Sequence, residues 1–169
     1  MAMEGEIGKL YEMIEDLEIA MFTTRRADGH LVSRAMATQK HAPGADLWFV
    51  TSTDAEKLDE LEEDPHVNLA YYKDRTREWV SVSGTAQVTQ DREMIARLYA
   101  KDWKAWFADG DDPRSGTPDD PRIVLIGVRV DSAVFFESKK PQPVVLFEMA
   151  KGFFTGKQPD VGEMHRVGR

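Results

Sequence analysis

The chain has 169 residues, 41% of them apolar and 31% charged, a balance that supports one globular domain with its own core rather than a disordered segment. It contains no cysteine, which excludes disulfides, iron–sulfur clusters, cysteine–zinc sites and thiol catalysis. With 22 Lys and Arg against 30 Asp and Glu, and a formal net charge of -8, it lacks the basic balance expected of a nucleic-acid binder.

The chain opens on Met1-Ala2-Met3-Glu4-Gly5-Glu6, with acids where a secretory signal needs bases, and no apolar run approaches the length of a membrane span. The expectation is a soluble, cytoplasmic protein with neither a membrane nor a nucleic acid as partner. Ile7, Leu10, Tyr11, Ile14 and Leu17 recur at helical spacing between acidic residues and predict an amphipathic first helix. Ile19–Thr24 reads as a buried strand, Asp28-Gly29 as a hairpin turn, and Leu31–Thr38 as the returning strand. Pro43-Gly44 marks a turn before a third strand, Asp46–Thr51. A short acidic helix follows, with Thr53 and Glu56 at capping-box spacing and a stop at Asp64-Pro65.

Val67–Tyr72 and Trp79–Ala86 are the fourth and fifth strands, joined by the charged turn Lys73–Glu78. A helix from about residue 91 to residue 107 carries Met94, Ile95, Leu98, Tyr99 and Trp103 at helical intervals. Residues 108–122 are dense in Gly, Asp and Pro and read as a surface loop. Two short strands follow, Ile123–Val130 and Ala133–Glu137, and Pro141 and Pro143 break the chain. Residues 138–169 form a C-terminal tail that is either poorly ordered or docked on a partner. The whole chain, 1–169, is thus a single domain, mostly β with peripheral helices. An antiparallel barrel is its natural closure, because closing a sheet removes exposed edges.

Several residues invite a chemical reading. The two-residue period of a strand puts Arg34, Met36 and Thr38 on one face. An Arg there needs an anion or solvent, so it is either a planar fork for a phosphate or an exposed side chain paired with a surface acid. The run Thr51-Ser52-Thr53, with Lys57 about one turn further on, is either an anion site at a helix N-terminus or a plain cap complemented by Asp54 and Glu56. Trp79, Ser81 and Ser83 share a strand face, which is either a shelf for a flat ring or a surface with one packed Trp. Trp103 with Trp106 or Phe107 makes a helical pair that core or interface packing explains. Histidines 30, 41, 66 and 165 share no ligand spacing, so no dedicated metal site is expected. No G-x-G-x-x-G, Walker or G-x-S-x-G motif occurs.

The order of motifs carries more than any one of them. Ala20–Thr24, Gly29–Met36, Leu47–Ser52, Lys57–Leu61, Val67–Tyr72, Val80–Ala86 and Trp106–Pro113 follow one another as in a known group, and together they cover most of residues 7 to 137. In these stretches the chain resembles the pyridoxamine 5′-phosphate oxidase-like, FMN-binding split-barrel family, and within it the bacterial general stress protein 26 branch. The resemblance implies an antiparallel Greek-key split β-barrel and a homodimer with FMN at the subunit interface. It implies that Arg34 and Lys57 hold the phosphate, that Ala35, Met36, Ala37 and Thr38 line the isoalloxazine, and that Val50, Thr51 and Ser52 border the ribityl chain and phosphate. Trp79 or Ser81, and Trp106 from the partner, join the same list. Two departures count against pyridoxamine phosphate oxidation itself. The C-terminal Arg-x-His motif is missing, with Glu163-Met164-His165-Arg166 no substitute, and the family's arginine beside the Lys position is Glu56. The expected function is that of an FMN-binding general stress flavoprotein, as an oxidoreductase of unassigned substrate. The alternatives are a flavin-sequestering protein without turnover and a split barrel that binds haem or a deazaflavin.

Overall fold

The computed structural model describes residues 2–109, 111–139, 142–158 and 161–168, with the side chains of residues 2–4, 142 and 145 left aside. Met1 and Pro141, named above, lie outside the described residues, as does Gly110 within the 108–122 stretch. The first helix, α1 (Ala2–Leu17), buries Leu10 and Ile14 and ends where Glu18 takes a left-handed φ of 59°. β1 (Ile19–Arg25) and β2 (Leu31–Ala37) form the expected hairpin, with Phe22 opposite Arg34 and Met21 opposite Ala35.

β3 (Leu47–Ser52), α2 (Lys57–Glu63), β4 (His66–Tyr72) and β5 (Trp79–Thr89) come next. With β6 (Ile123–Ser138) and β7 (Gly162–Gly168), the strand order β2-β1-β4-β5-β6-β3 is antiparallel throughout, and β7 is added on β6. β2 and β3 end the path, yet the backbone N–H of Gln39 donates to the carbonyl of Trp48 at 2.8 Å just beyond β2. That bond draws the two ends together and curls the sheet into a split barrel.

The barrel interior is filled from alternate positions of each strand, as a sheet with one buried face requires. Phe22, Phe49, Leu69, Val82, Ile126 and Phe135 are all buried, and Phe22 meets Phe49 edge to face at 5.1 Å. A second apolar cluster, with Trp48, Leu98 and Trp103, lies under α3 (Arg92–Leu98) and α4 (Trp103–Trp106).

Five expectations need correction. The Thr53–Glu56 capping box does not form. The Thr53 N–H donates instead to the Arg122 carbonyl at 2.9 Å, and α2 starts at Lys57 with no side-chain cap bond. The helix over 91–107 is broken at Tyr99, whose extended ψ of 129° ends α3; its hydroxyl donates to the Gly116 carbonyl at 2.6 Å, and the short α4 turns the Trp103 ring inward. The two strands predicted over 123–137 are one, β6 (Ile123–Ser138), because β5 is long enough to pair along almost all of it. The described residues of the tail are mostly in regular structure and pack on their own chain. They form α5 (Gln142–Thr155) and β7 (Gly162–Gly168), and β7 pairs with the Ser132–Ser138 half of β6. Pro143 does not break the chain; it sits in the first turn of α5, where a missing N–H costs nothing. Among the described residues, no helix is long and apolar enough to cross a membrane.

The β5–β6 register shifts between Ser83 and Gly84, and a Cβ at Gly84 would stand 2.6 Å from the Arg129 carbonyl oxygen and 2.7 Å from a Val128 methyl. One neighbour is backbone and cannot step aside. Gly84→Ala is expected to cost about 1–3 kcal/mol through overpacking, read as a lower midpoint in urea unfolding; an unchanged midpoint would show that the two long strands can separate there freely.

Candidate functional site

A cavity of about 420 Å³ opens between β2, β3, the start of α2 and α4, a volume within the range of small-molecule sites. Of the residues picked out from the sequence, Ala35, Met36, Ala37, Val50, Thr51, Ser52, Lys57 and Trp106 line it. They arrive from three separate stretches because the barrel lays the end of β2 beside β3, and β3 runs directly into α2. Trp106, expected from a partner, lines the cavity of its own chain and is 80% exposed at its rim.

Lys57 and Arg122 are the cations that line the cavity, alongside Asp54, Asp102 and Asp109. Lys57 is half-buried, its ammonium donates to the Thr51 hydroxyl at 3.0 Å, and among the described residues it makes no ion pair. Burial, and then the positive charge of Arg34, hold its pKa below the usual lysine value. Glu60 and Asp54 act in the opposite direction without outweighing them, so an anion added beside the ammonium would favour its charged form.

Arg34 does not itself line the cavity. Its side chain points inward from β2, opposite Phe22, where Nη1 donates to the Thr24 hydroxyl at 2.8 Å and Nη2 to Oε1 of Glu60 at 3.0 Å. The sequence offered a phosphate or a surface acid as its partner; the partner is the buried carboxylate of Glu60. Thr38 lies off the cavity as well. Its hydroxyl shares a 2.8 Å hydrogen bond with Tyr71, and it lines a second cavity of about 550 Å³ beside α1. Trp79 and Ser81 stand on the outer face of the sheet, where the Ser81 hydroxyl accepts from Asn68 at 3.0 Å.

Three contributors carried no readable signal. Gln39 accepts from the Trp103 indole at 2.8 Å and so fixes α4 against the end of β2. Phe107 and Arg122 close the far wall. Arg122 donates from Nη2 to the Phe107 carbonyl at 2.6 Å and from Nη1 to the Asp109 carbonyl at 2.8 Å. It is held by Asp120, a 1% exposed carboxylate that accepts from Arg122 Nε and Nη2 and from the N–H groups of Gly116 and Arg122. That acid folds the aperiodic 108–122 segment onto itself. Glu60, by contrast, was within reach, since three residues after Lys57 on a helix means the same face.

The Arg122 guanidinium beside Asp120 holds its carboxyl well below its ordinary value of 3.8. A depressed carboxyl contributes stability that is complete above 3.8 and fades as the pH drops from there toward the folded value. Asp120→Asn is expected to lower stability by about 2–3 kcal/mol at neutral pH, through loss of charged hydrogen bonds. The gap from wild type should narrow on acidification below pH 3.8, as thermal melts at several pH values would record; a constant gap would remove the carboxylate's charge from the explanation.

Comparison with known proteins follows the same lines. A family model described as pyridoxamine 5′-phosphate oxidase like matches residues 5–160. Protein bli-3 of Neurospora crassa is 34% identical over 168 residues, covering 98% of this chain and 80% of that protein. Among solved structures, a Jannaschia sp. CCS1 protein assigned to general stress protein 26 superposes with a TM-score of 0.75 at 23% identity, covering 99% of this chain and all of that one. The general stress FMN/FAD binding protein of the phytopathogen Xanthomonas citri superposes with a TM-score of 0.62 at 25% identity, over 78% of this chain and 89% of its own.

Proposed function

The chain belongs to the pyridoxamine 5′-phosphate oxidase-like family, and on that premise we propose that it is a flavoprotein that binds FMN in the cavity beside Lys57. The observation that carries the reading is Lys57 itself: a half-buried ammonium that, among the described residues, donates to a hydroxyl and makes no ion pair, with burial and then Arg34 opposing its charge more than Glu60 and Asp54 favour it. A phosphate would offset that opposition. The polar end of the cavity, with Thr51, Ser52 and Lys57, suits the phosphate and ribityl chain. The Ala35–Ala37 stretch and Trp106 offer small and aromatic surface for the ring. The Xanthomonas citri relative is described as FMN/FAD binding, which supports a flavin as occupant. When bound, the flavin would supply electron or hydride transfer. The protein's own residues would bind it, orient it and limit its access to water.

The same reading includes a second copy of the chain. The register aligns Ala35, Met21, Ala70, Ser81 and Val134 in one row across five strands. A parallel row runs through Tyr72, Trp79, Phe136 and Met164. Met21, Tyr72 and Met164 are exposed, and a contiguous apolar face of this kind marks an interaction surface. Ala35 belongs both to that face and to the cavity wall, so a twofold partner seated there would stand at the cavity mouth, with its own Trp79 and Ser81 on the shared face.

Purified protein is expected to be yellow or to quench the fluorescence of added FMN, and Arg34→Ala and Lys57→Ala each to weaken binding by about tenfold or more. If wild type leaves FMN fluorescence untouched, the reading fails. Anaerobic bleaching of the bound flavin by NADH or NADPH would separate an oxidoreductase from a protein that only holds the cofactor.

Light scattering after size exclusion should give twice the chain mass for wild type. Met21→Asp, which puts a charge into the apolar row, should shift the protein toward monomer and weaken FMN with it. A wild-type monomer that still binds FMN would dispose of the shared site.

A further inference from the structure

Glu60 is a buried acid three residues from Lys57 on α2, next to a site that would take an anion, an arrangement that runs against simple charge matching. Its surroundings explain it. Oε1 accepts from Arg34 Nη2 at 3.0 Å, Oε2 accepts from the Thr24 hydroxyl at 2.5 Å, and that hydroxyl accepts from Arg34 Nη1 at 2.8 Å. The three side chains form a closed ring in which both terminal nitrogens of the guanidinium are held. Thr24 is 1% exposed and Glu60 8%.

We infer that Glu60 is a positioning residue for the phosphate end of this site: it fixes the Arg34 guanidinium on the α2 face that carries Lys57. The inference rests on the flavin reading above. Lys57 and Glu60 are three residues apart on α2 and so share a helical face. Whatever Glu60 grips is therefore brought to the ammonium, and the Arg34 charge is indeed felt there. An arginine has five N–H donors, and the ring uses two. The ring leaves three unused and the positive charge undivided between its two edges.

The carboxylate cannot easily leave. Buried and desolvated, it would be costly to strand without Arg34, and the same hydrogen bond holds its pKa below the usual glutamate value. The guanidinium thus stays tethered behind the cavity wall, where its charge acts on Lys57 and on an anion bound beside it, and little side-chain freedom is left to lose on binding.

The test compares FMN with riboflavin, which differs by the phosphate alone, in fluorescence titrations of the full chain. Glu60→Gln is expected to weaken FMN by about tenfold or more, while riboflavin stays within about twofold of wild type. Thr24→Val, close in shape, removes two bonds of the ring and should move FMN in the same direction by less; it decides the matter if Glu60→Gln does not fold. FMN binding that is unchanged or tighter in Glu60→Gln would overturn the inference, because the acid would then be a bystander or a competitor of the phosphate. A parallel loss of both ligands would also overturn it, by making the role one of general structure. If wild type binds neither ligand, the flavin reading fails and this inference with it. If wild type prefers FMN and Glu60→Gln keeps the preference, only the role of Glu60 falls.

Discussion

The pairing of β1 with β2 decides which side of the sheet each residue of Leu31–Ala37 faces, and the arrangement around the cavity depends on that choice. Phe22 lies opposite Arg34, so Arg34 follows a core side chain inward to Thr24 and Glu60. Met21 lies opposite Ala35, so Ala35 follows an exposed side chain outward to the apolar row and the cavity wall. A slip of one residue would exchange the two. It would put a guanidinium on the outer face and leave Glu60 buried without its cation, which is among the costlier defects a fold can carry. The buried ring of Arg34, Thr24 and Glu60 is thus both a consequence of the register and a reason for it.

From that fixed edge the site is assembled by short bonds between distant segments. Gln39, just past β2, reaches Trp48 through its backbone and Trp103 through its side chain. The first contact closes the barrel and the second seats α4 over the cavity. On the far side, Asp120 and Arg122 gather a segment with no periodic pattern and turn Phe107 and Asp109 toward the same space. The cavity walls are therefore held largely by polar contacts to backbone, which are directional, while the apolar core behind them supplies most of the stability.

The electrostatics fit this division of labour. Cavity residues include Lys57 as a cation left with a hydroxyl for a partner, whereas Arg34 and Arg122 are each anchored by a buried acid. Arginine suits the anchored positions, because its fork can be held on one edge and still present donors on another. Lysine suits the free position, because a compact ammonium on a flexible stem can settle against a phosphate. The family match covers residues 5–160, and the Jannaschia relative shares the fold over almost the whole chain.

Much of this was legible in the sequence wherever a pattern is local. Alternation along Ile19–Thr24, Val67–Tyr72 and Trp79–Ala86, and the Asp28-Gly29 turn, determine strands and a hairpin by themselves, since a two-residue period and a turn residue act over a few positions. The helical spacing of Leu10 and Ile14 likewise determines an amphipathic α1. The chain's order of motifs by itself points to eight of the lining residues. The tertiary structure alone decided the rest. Thr53 spends its N–H on Arg122 instead of on a cap, Tyr99 breaks a helix to turn Trp103 inward, and β7, short and polar, is a strand only because β6 offers it a free edge. The partner of Arg34 belongs to the same class. A guanidinium's need for an anion can be read from its place on a strand, but which anion meets it is set by a helix 26 residues away in the chain, and only folding brings that charge near.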